Sequence, residues 1–441
     1  MSWWQLTRLG FVQAAIGAVV VLLTTTINRV IVVELALPAS VPGVLVALHF
    51  GVQLALRPRL GHDSDRMGMR TPWIIGGMVL CAVSGVAVAA SLPVMRDHTM
   101  LGIVLASVAS IALGAGVSAS GTPLLALMSE RAHPSQRAGA AAITWILMIV
   151  GIIITAATSG VLLDPFSFSR LIAIAAGIGG AGVLIAIAAT YGIERRAMAS
   201  LASIASATPV TPSTSFRDSL RVVWDEPAAR TFAGFVFLAM LAYSAQDLIL
   251  EPFAGIAFGM TPGESTKLSG MHHGGVLVGM VIAALLATRT GQLRHWAAFG
   301  CFASAVTYVV LAITPVVGDV RLFRLVVPVL GLANGIFAIG AIGSMMALTS
   351  DRTDGRAGLR LGVLGAAQAV AYASGTMAGA AGVDLARTVF NSPVRGYLTV
   401  FAVEAIPFAV SAVLALRSAS SERAGQVMRQ RGDMLPAVMQ S

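Results

Sequence analysis

The chain has 441 residues, 56% of them hydrophobic and 11% charged, with a mean hydropathy of +0.84 and a formal net charge of +9. A soluble globular domain is excluded, because apolar runs of about 20 residues, each long enough to span a bilayer, recur along nearly the whole sequence. Most arginines gather in the loops on one side of these runs, so the positive charge reads as membrane topology and not as a nucleic-acid-binding surface.

In chain order, runs near 9–35, 40–57, 73–92, 99–128, 139–163, 170–191, 231–256, 267–288, 296–315, 322–349, 361–386 and 396–417 predict an all-α membrane protein of twelve transmembrane helices. The first run is too long for a cleaved signal peptide and is followed by no small-residue cleavage site. A cytoplasmic N-terminus brings most of the basic residues inside and makes both termini cytoplasmic. Gly- and Ala-rich stretches at 107–126, 172–189 and 362–382 predict close helix packing. Cys81 and Cys301 lie in apolar runs, without metal or disulfide spacing, and read as small core residues.

A polar interruption divides six runs from six. The expected organisation is an N-terminal six-helix bundle over 1–191, a cytoplasmic linker over 192–230, a C-terminal bundle over 231–418 and a cytoplasmic tail over 419–441. The linker contains the Pro- and Ser-rich "SATPVTPSTS", and then Phe216, Leu220, Val223 and Trp224 at the spacing of a membrane-surface amphipathic helix. The halves also resemble each other. "ALMSERAHPSQRAG" after run four parallels "ALTSDRTDGRAG" after run ten, so that Ser129, Glu130, Arg131, Arg137, Ala138 and Gly139 correspond to Ser350, Asp351, Arg352, Arg356, Ala357 and Gly358. A six-plus-six duplication is a signature of transporter folds whose site lies between the halves.

Between runs two and three stands "GHDSDRMGMR", with Gly61, Asp65, Arg66, Gly68 and Arg70. It resembles the loop motif of the major facilitator superfamily and departs from it at Met69, where that motif is usually basic. The glycines suit a tight turn, and Asp65 with the arginines suits ion pairs that hold one conformation shut. The resemblance implies two pseudo-symmetric six-helix bundles, with spans one and seven neighbours across the halves.

Charge inside a span is costly unless it faces a cavity or a partner. Arg29 and Glu34 lie towards the outer end of run one, and Asp247 and Glu251 lie about 24 Å and 30 Å along run seven. With spans one and seven adjacent, Arg29 is expected to pair with Asp247 or Glu251. An outer gate, a substrate or proton site, and a solvated interfacial patch all fit these four residues. His49 lies near the midplane, with His272 and His273 in the outer half of run eight, and each suits either a ligand or proton-relay role or a hydrogen bond between helices. Gln53 and Gln368 divide in the same way between recognition and packing. No phosphate loop, dinucleotide fingerprint or zinc spacing occurs, so an enzyme reading has no constellation behind it and no cofactor is required.

"NRVIVVELALPASVPGVLVALHF", "RTPWIIGGM", "LLDPFSFSRL", "AYSAQDLILEPFAG" and "TPGESTKLSGMHHGGVLVGM" resemble the PucC/LhaA proteins, the bacteriochlorophyll delivery family of the major facilitator superfamily. The resemblance covers both halves. It implies a non-enzymatic protein of the photosynthetic intracytoplasmic (inner) membrane of phototrophic bacteria. Its expected partners are bacteriochlorophyll or a precursor, light-harvesting antenna polypeptides and membrane lipid. Bound bacteriochlorophyll would find axial ligands for its magnesium in His49, His272 or His273. A proton-coupled exporter of another amphipathic molecule and a pigment-free antenna scaffold are the competing expectations.

Overall fold

The computed structural model describes residues 1–67, 69–133, 136–194, 227–290, 293–350 and 357–438. The twelve expected runs correspond to twelve helices: α1 (Trp3–Leu22, continued by π-helical turns Leu23–Ile27 and Val30–Glu34), α2 (Ser40–Met67), α3 (Thr71–Asp97), α4 (Thr99–Arg131), α5 (Arg137–Leu162), α6 (Phe168–Thr190), α7 (Pro227–Phe258), α8 (Pro262–Thr290), α9 (Leu293–Val317), α10 (Val320–Ser350), α11 (Ala357–Phe390) and α12 (Pro393–Val438). Eleven are long and apolar enough to cross a bilayer within their described residues. The expected amphipathic helix over 216–225, most of the linker, and the repeat positions Asp351, Arg352 and Arg356 lie outside the described residues.

Local chemistry sets the helix starts. Ser2 and Gln5 cap α1 reciprocally, and Ser167 accepts from the Arg170 amide to begin α6. Thr261 accepts from the Glu264 amide while Glu264 accepts from Thr261 N, a capping box with Pro262 at the first helical position of α8.

Within the N-terminal half, α1 packs on α5 and α6, α3 on α4 and α6, and α2 on α4. Each of these contacts recurs six helices later: α7 on α11 and α12, α9 on α10 and α12, and α8 on α10. The halves meet chiefly where α5 packs on α8 and α2 on α11. This is the expected pseudo-symmetric arrangement. With twelve crossings both termini share one face, here the proximal face, and the opposite one is the distal face.

Small residues govern the closest approaches. Gly275 and Gly279 on α8 face Gly331 and Gly335 on α10 so tightly that a Cβ on any of the four would overlap the other helix's main chain. The C-terminal core is otherwise aromatic, with Phe253 packed among Phe258, Phe323, Tyr397 and Phe401. Outward positions such as Val83, Leu184, Phe302 and Ile406 are exposed and apolar, as lipid-facing residues should be.

On the proximal face, Arg70 of the loop motif pairs with Glu130 (2.5 Å), and Glu194 accepts from the Arg70 and Thr71 amides at the start of α3. The motif's basic position thus ties α3, α4 and the end of α6 together. Gly61 continues α2 and does not form the tight turn expected of it, while Gly68 and the side chains of Asp65 and Arg66 lie outside what is described.

Candidate functional site

Aromatic rings from both halves meet at the seam formed by α2, α7 and α11. His49 and Phe50 on α2 have centroids 5.0 Å apart, Phe50 lies 5.1 Å from Tyr372 on α11, and Tyr372 lies 6.1 Å from Tyr243 on α7. Phe50, Tyr243 and Tyr372 are half-buried, so the band is not sealed into either half's core. Asp247, one turn beyond Tyr243, turns its charge towards both phenols and keeps a 21% exposed side chain. Gln368, one turn before Tyr372, is half-buried and touches Met240 Sδ through its amide nitrogen at 3.8 Å.

A polar ladder climbs α2 into this region. Arg57 donates to Gln53 Oε1 (2.6 Å), which turns the Gln53 amide nitrogen to His49 Nε2 (2.8 Å). His49 Nε2 therefore accepts and its proton sits on Nδ1, which has no hydrogen-bond partner. Residues four apart share one helical face, so this ladder follows from the spacing of 49, 53 and 57. Gly114 of α4 lies against the His49 carbonyl where a Cβ would not fit, and this brings α4 close enough to bury the ring.

His272 and His273 are adjacent on α8 and their rings diverge. His272 donates from Nδ1 to the Val327 carbonyl (3.3 Å) and accepts at Nε2 from Gln246 (3.1 Å). Gln246 Oε1 accepts from Tyr308 (2.7 Å) and from Asn334 (2.9 Å), whose own oxygen accepts from Ser304 (2.8 Å). His272 thus turns into the interior of the C-terminal half, with both nitrogens engaged. His273 donates from Nδ1 to the Ser269 carbonyl (2.9 Å) and directs Nε2 towards Asp247 Oδ1, 3.9 Å away.

The expected pairing of Arg29 with Asp247 or Glu251 is corrected. Arg29 instead pairs with Glu34 (2.5 Å) and donates to the Met260 carbonyl (2.5 Å). The cause lies in the β-branched run "TTTINRVIVVE", which leaves ordinary α-geometry for π-helical turns. Leu35 N bonds Val30 O, five residues back, and in such turns residues five apart come to lie over one another, which sets Glu34 against Arg29. Glu251 is buried, near Arg29 and facing the Thr25 and Ser269 hydroxyls, and neither of its oxygens closes a hydrogen bond.

The distal face is held shut by bonds between the halves. Thr26 bonds Thr266 (3.1 Å), Arg29 reaches the Met260 carbonyl, and Asn28 donates to the main-chain oxygen of Leu248. That oxygen is available because residue 252 is proline. Without an N–H, Pro252 cannot close the helical bond to Leu248, and the side-chain amide from the other half takes its place.

Sequence reasoning missed Gln246, Tyr308 and Asn334, whose types are common in membrane helices and whose convergence is purely tertiary. It also missed Glu404 on α12, a buried carboxylate near Tyr308 with neither oxygen hydrogen-bonded. Here the cost argument applied to Asp247 would have found it, since Glu404 stands within run twelve. Asp384, in "AGVDLAR", was legible in the same way.

The helices and their pseudo-symmetric packing define a multi-pass membrane protein with the major facilitator fold. A bacterial homologue of the human lysosomal transporter Spinster, solved in inward-facing unoccupied and occupied forms, superposes with TM-scores of 0.66 and 0.67 at 14% identity, covering 94% of this chain and 96% of that one. The chain belongs to the PUCC protein family, whose model matches residues 26–422. It is 43% identical to the bacteriochlorophyll synthase 44.5 kDa chain of Rhodobacter capsulatus over 97% of this chain and 98% of that protein. It is 27% identical to protein PucC of Rhodovulum sulfidophilum, covering 89% of this chain and 88% of that one.

Proposed function

We propose that this protein holds bacteriochlorophyll, or a close precursor, at the seam between its halves and supplies it to light-harvesting antenna polypeptides, without itself performing a chemical step. The observation that carries the reading is the half-buried aromatic band of Phe50, Tyr372 and Tyr243, built from both halves. Rings at this spacing offer flat apolar faces to a macrocycle, and the two phenols and the Gln368 amide stand ready for its carbonyls. Among the relatives, the name of the Rhodobacter capsulatus 44.5 kDa chain points to the same pigment. "Synthase chain" in that name fits a pathway partner, since the sequence carries no nucleotide or flavin fingerprint with which to reduce or condense anything.

Among the three histidines, His273 directs Nε2 towards the half-buried Asp247 and makes no hydrogen bond there, and it is the residue that would hold the magnesium of a bound chlorin. Its Nδ1 bond to Ser269 fixes the tautomer that this requires. The basic loops favour cytoplasmic termini, and the membrane in question is the photosynthetic inner membrane.

The test is purification from a phototrophic host in mild detergent, followed by a near-infrared spectrum. Pigment in near-stoichiometric amount is expected, reduced by Phe50→Ala or Tyr372→Ala, and shifted in absorption by His273→Leu. Pigment-free protein, together with normal antenna in a deletion strain, would sink the reading. Pigment-free protein that copurifies with antenna polypeptides would favour a scaffold.

A further inference from the structure

The seam between the halves carries the same device twice at the distal face. Asp384, near the distal end of α11, accepts from the Ala39 amide with one carboxylate oxygen (2.9 Å) and from the Ser40 amide with the other (2.8 Å). These amides open α2, in the opposite half. The residue before α2 is Ala39, which has no side-chain acceptor, so the cap is supplied in trans.

Asp164, just beyond α5, does the converse. It accepts from Thr261 Oγ1 (3.0 Å), the same hydroxyl that caps α8 by accepting from the Glu264 amide, and it lies 3.7 Å from Lys267 Nζ. Gly263, in the first turn of α8, sits so close that a Cβ would overlap the Asp164 carboxylate. The helices α2 and α8 are the second of their halves, and α5 and α11 the fifth. The two contacts are therefore images of each other under the internal duplication. Each sets a full negative charge against a helix N-terminus, where unsatisfied amides and the helix dipole favour it.

We propose that Asp164 and Asp384 are a matched pair of latches that hold the distal face closed, each anchoring its own half to the N-terminus of the opposite half's second helix. The pair is unequal. On opening, α8 keeps its own Thr261–Glu264 capping box, whereas α2 loses its cap, so the Asp384 latch is the stronger hold. Asp164 and Lys267 are 37% and 44% exposed, so that latch weakens as salt rises.

The test needs no pigment, which separates its outcome from that of the functional reading. Thr26→Cys places a thiol in the closed distal seam, where Thr26 is fully buried, and all latch variants are compared on that same background, so that loss of the Thr266 bond is common to them; Ala140→Cys places a thiol at the buried proximal end of α5. The native Cys81 and Cys301 are buried and serve as a silent background. Maleimide labelling rates are measured on the full chain in mild detergent. Asp384→Ala removes both amide contacts and is expected to raise labelling of Thr26→Cys roughly ten-fold or more, the shift in an open–closed equilibrium that follows loss of at least one net charge-assisted hydrogen bond. Asp384→Asn and Asp164→Asn should raise it less, and Ala140→Cys should be unaffected. Asp164→Asn changes an exposed edge and keeps the test decisive if Asp384→Ala fails to fold. Unchanged labelling at Thr26→Cys in the folded variants, or an equal rise at Ala140→Cys, overturns the proposal.

Discussion

Replacing Asn28 by Ala probes the bond that crosses from α1 to the freed carbonyl of α7. The substitution strands the Leu248 oxygen, which is buried and has no helical donor because residue 252 is proline. An unsatisfied buried carbonyl costs about 1–3 kcal/mol in water-based measurements, and polar contacts within bilayers run lower, at about 0.6–1.7 kcal/mol. A loss of about 1–2 kcal/mol is therefore expected, or roughly 2–8 °C of melting temperature for a half unfolding as a unit. Pro252→Ala supplies the missing N–H, so Leu248 closes its own helical bond and no longer needs Asn28. Combined with Pro252→Ala, Asn28→Ala should cost almost nothing, giving a coupling of about 1–2 kcal/mol in a double-mutant cycle read by thermal unfolding in mild detergent. Additive losses would refute the reasoning, because they would mean that the carbonyl is satisfied without Asn28.

Other parts of the structure yield equally specific expectations. Gln246→Leu takes one hydrogen bond each from Tyr308, Asn334 and His272, so the melting temperature should fall further than for any single partner's removal, by the equivalent of about 2–5 kcal/mol. Gln246→Glu, which keeps the acceptor for Tyr308 and Asn334, should recover part of that loss. Gly331→Ala forces a Cβ onto the His272 main chain, and overpacking of this kind costs about 1–3 kcal/mol; lower yield and earlier melting are expected, and a wild-type melting curve would show that α8 and α10 can separate freely. Arg29→Lys keeps the charge but replaces a planar fork that serves Glu34 and Met260 together, so it should loosen the distal face nearly as much as Arg29→Ala in the maleimide assay. Full protection with Lys would make charge, not geometry, the determinant.

Length, apolar periodicity and the recurrence of one loop after helices four and ten were enough to predict the helices and their pairing into halves. A bilayer permits few ways to satisfy a backbone, so hydropathy alone restricts the fold severely. The internal match of "ALMSERAHPSQRAG" with "ALTSDRTDGRAG" then supplied the symmetry. Side-chain partners were much less legible. Arg29, Asp247 and Glu251 could be marked as costly, but their pairing depended on a change of helical pitch at Val30–Glu34 that no hydropathy window registers. Adjacent histidines at 272 and 273 looked alike in the sequence. Only the packing of α10 and of Gln246 against one, and of Asp247 against the other, gave the first a structural bond set and the second a place at the seam.

What the sequence determined by itself was the solvent, the number of crossings, the duplication and the family, because each depends on composition or on long matching strings. The tertiary structure decided which polar groups meet. That decision rests on distances of 2.5–3.9 Å between different segments of the chain. A rotation of one residue, about 100°, on any of these helices would carry the group out of reach.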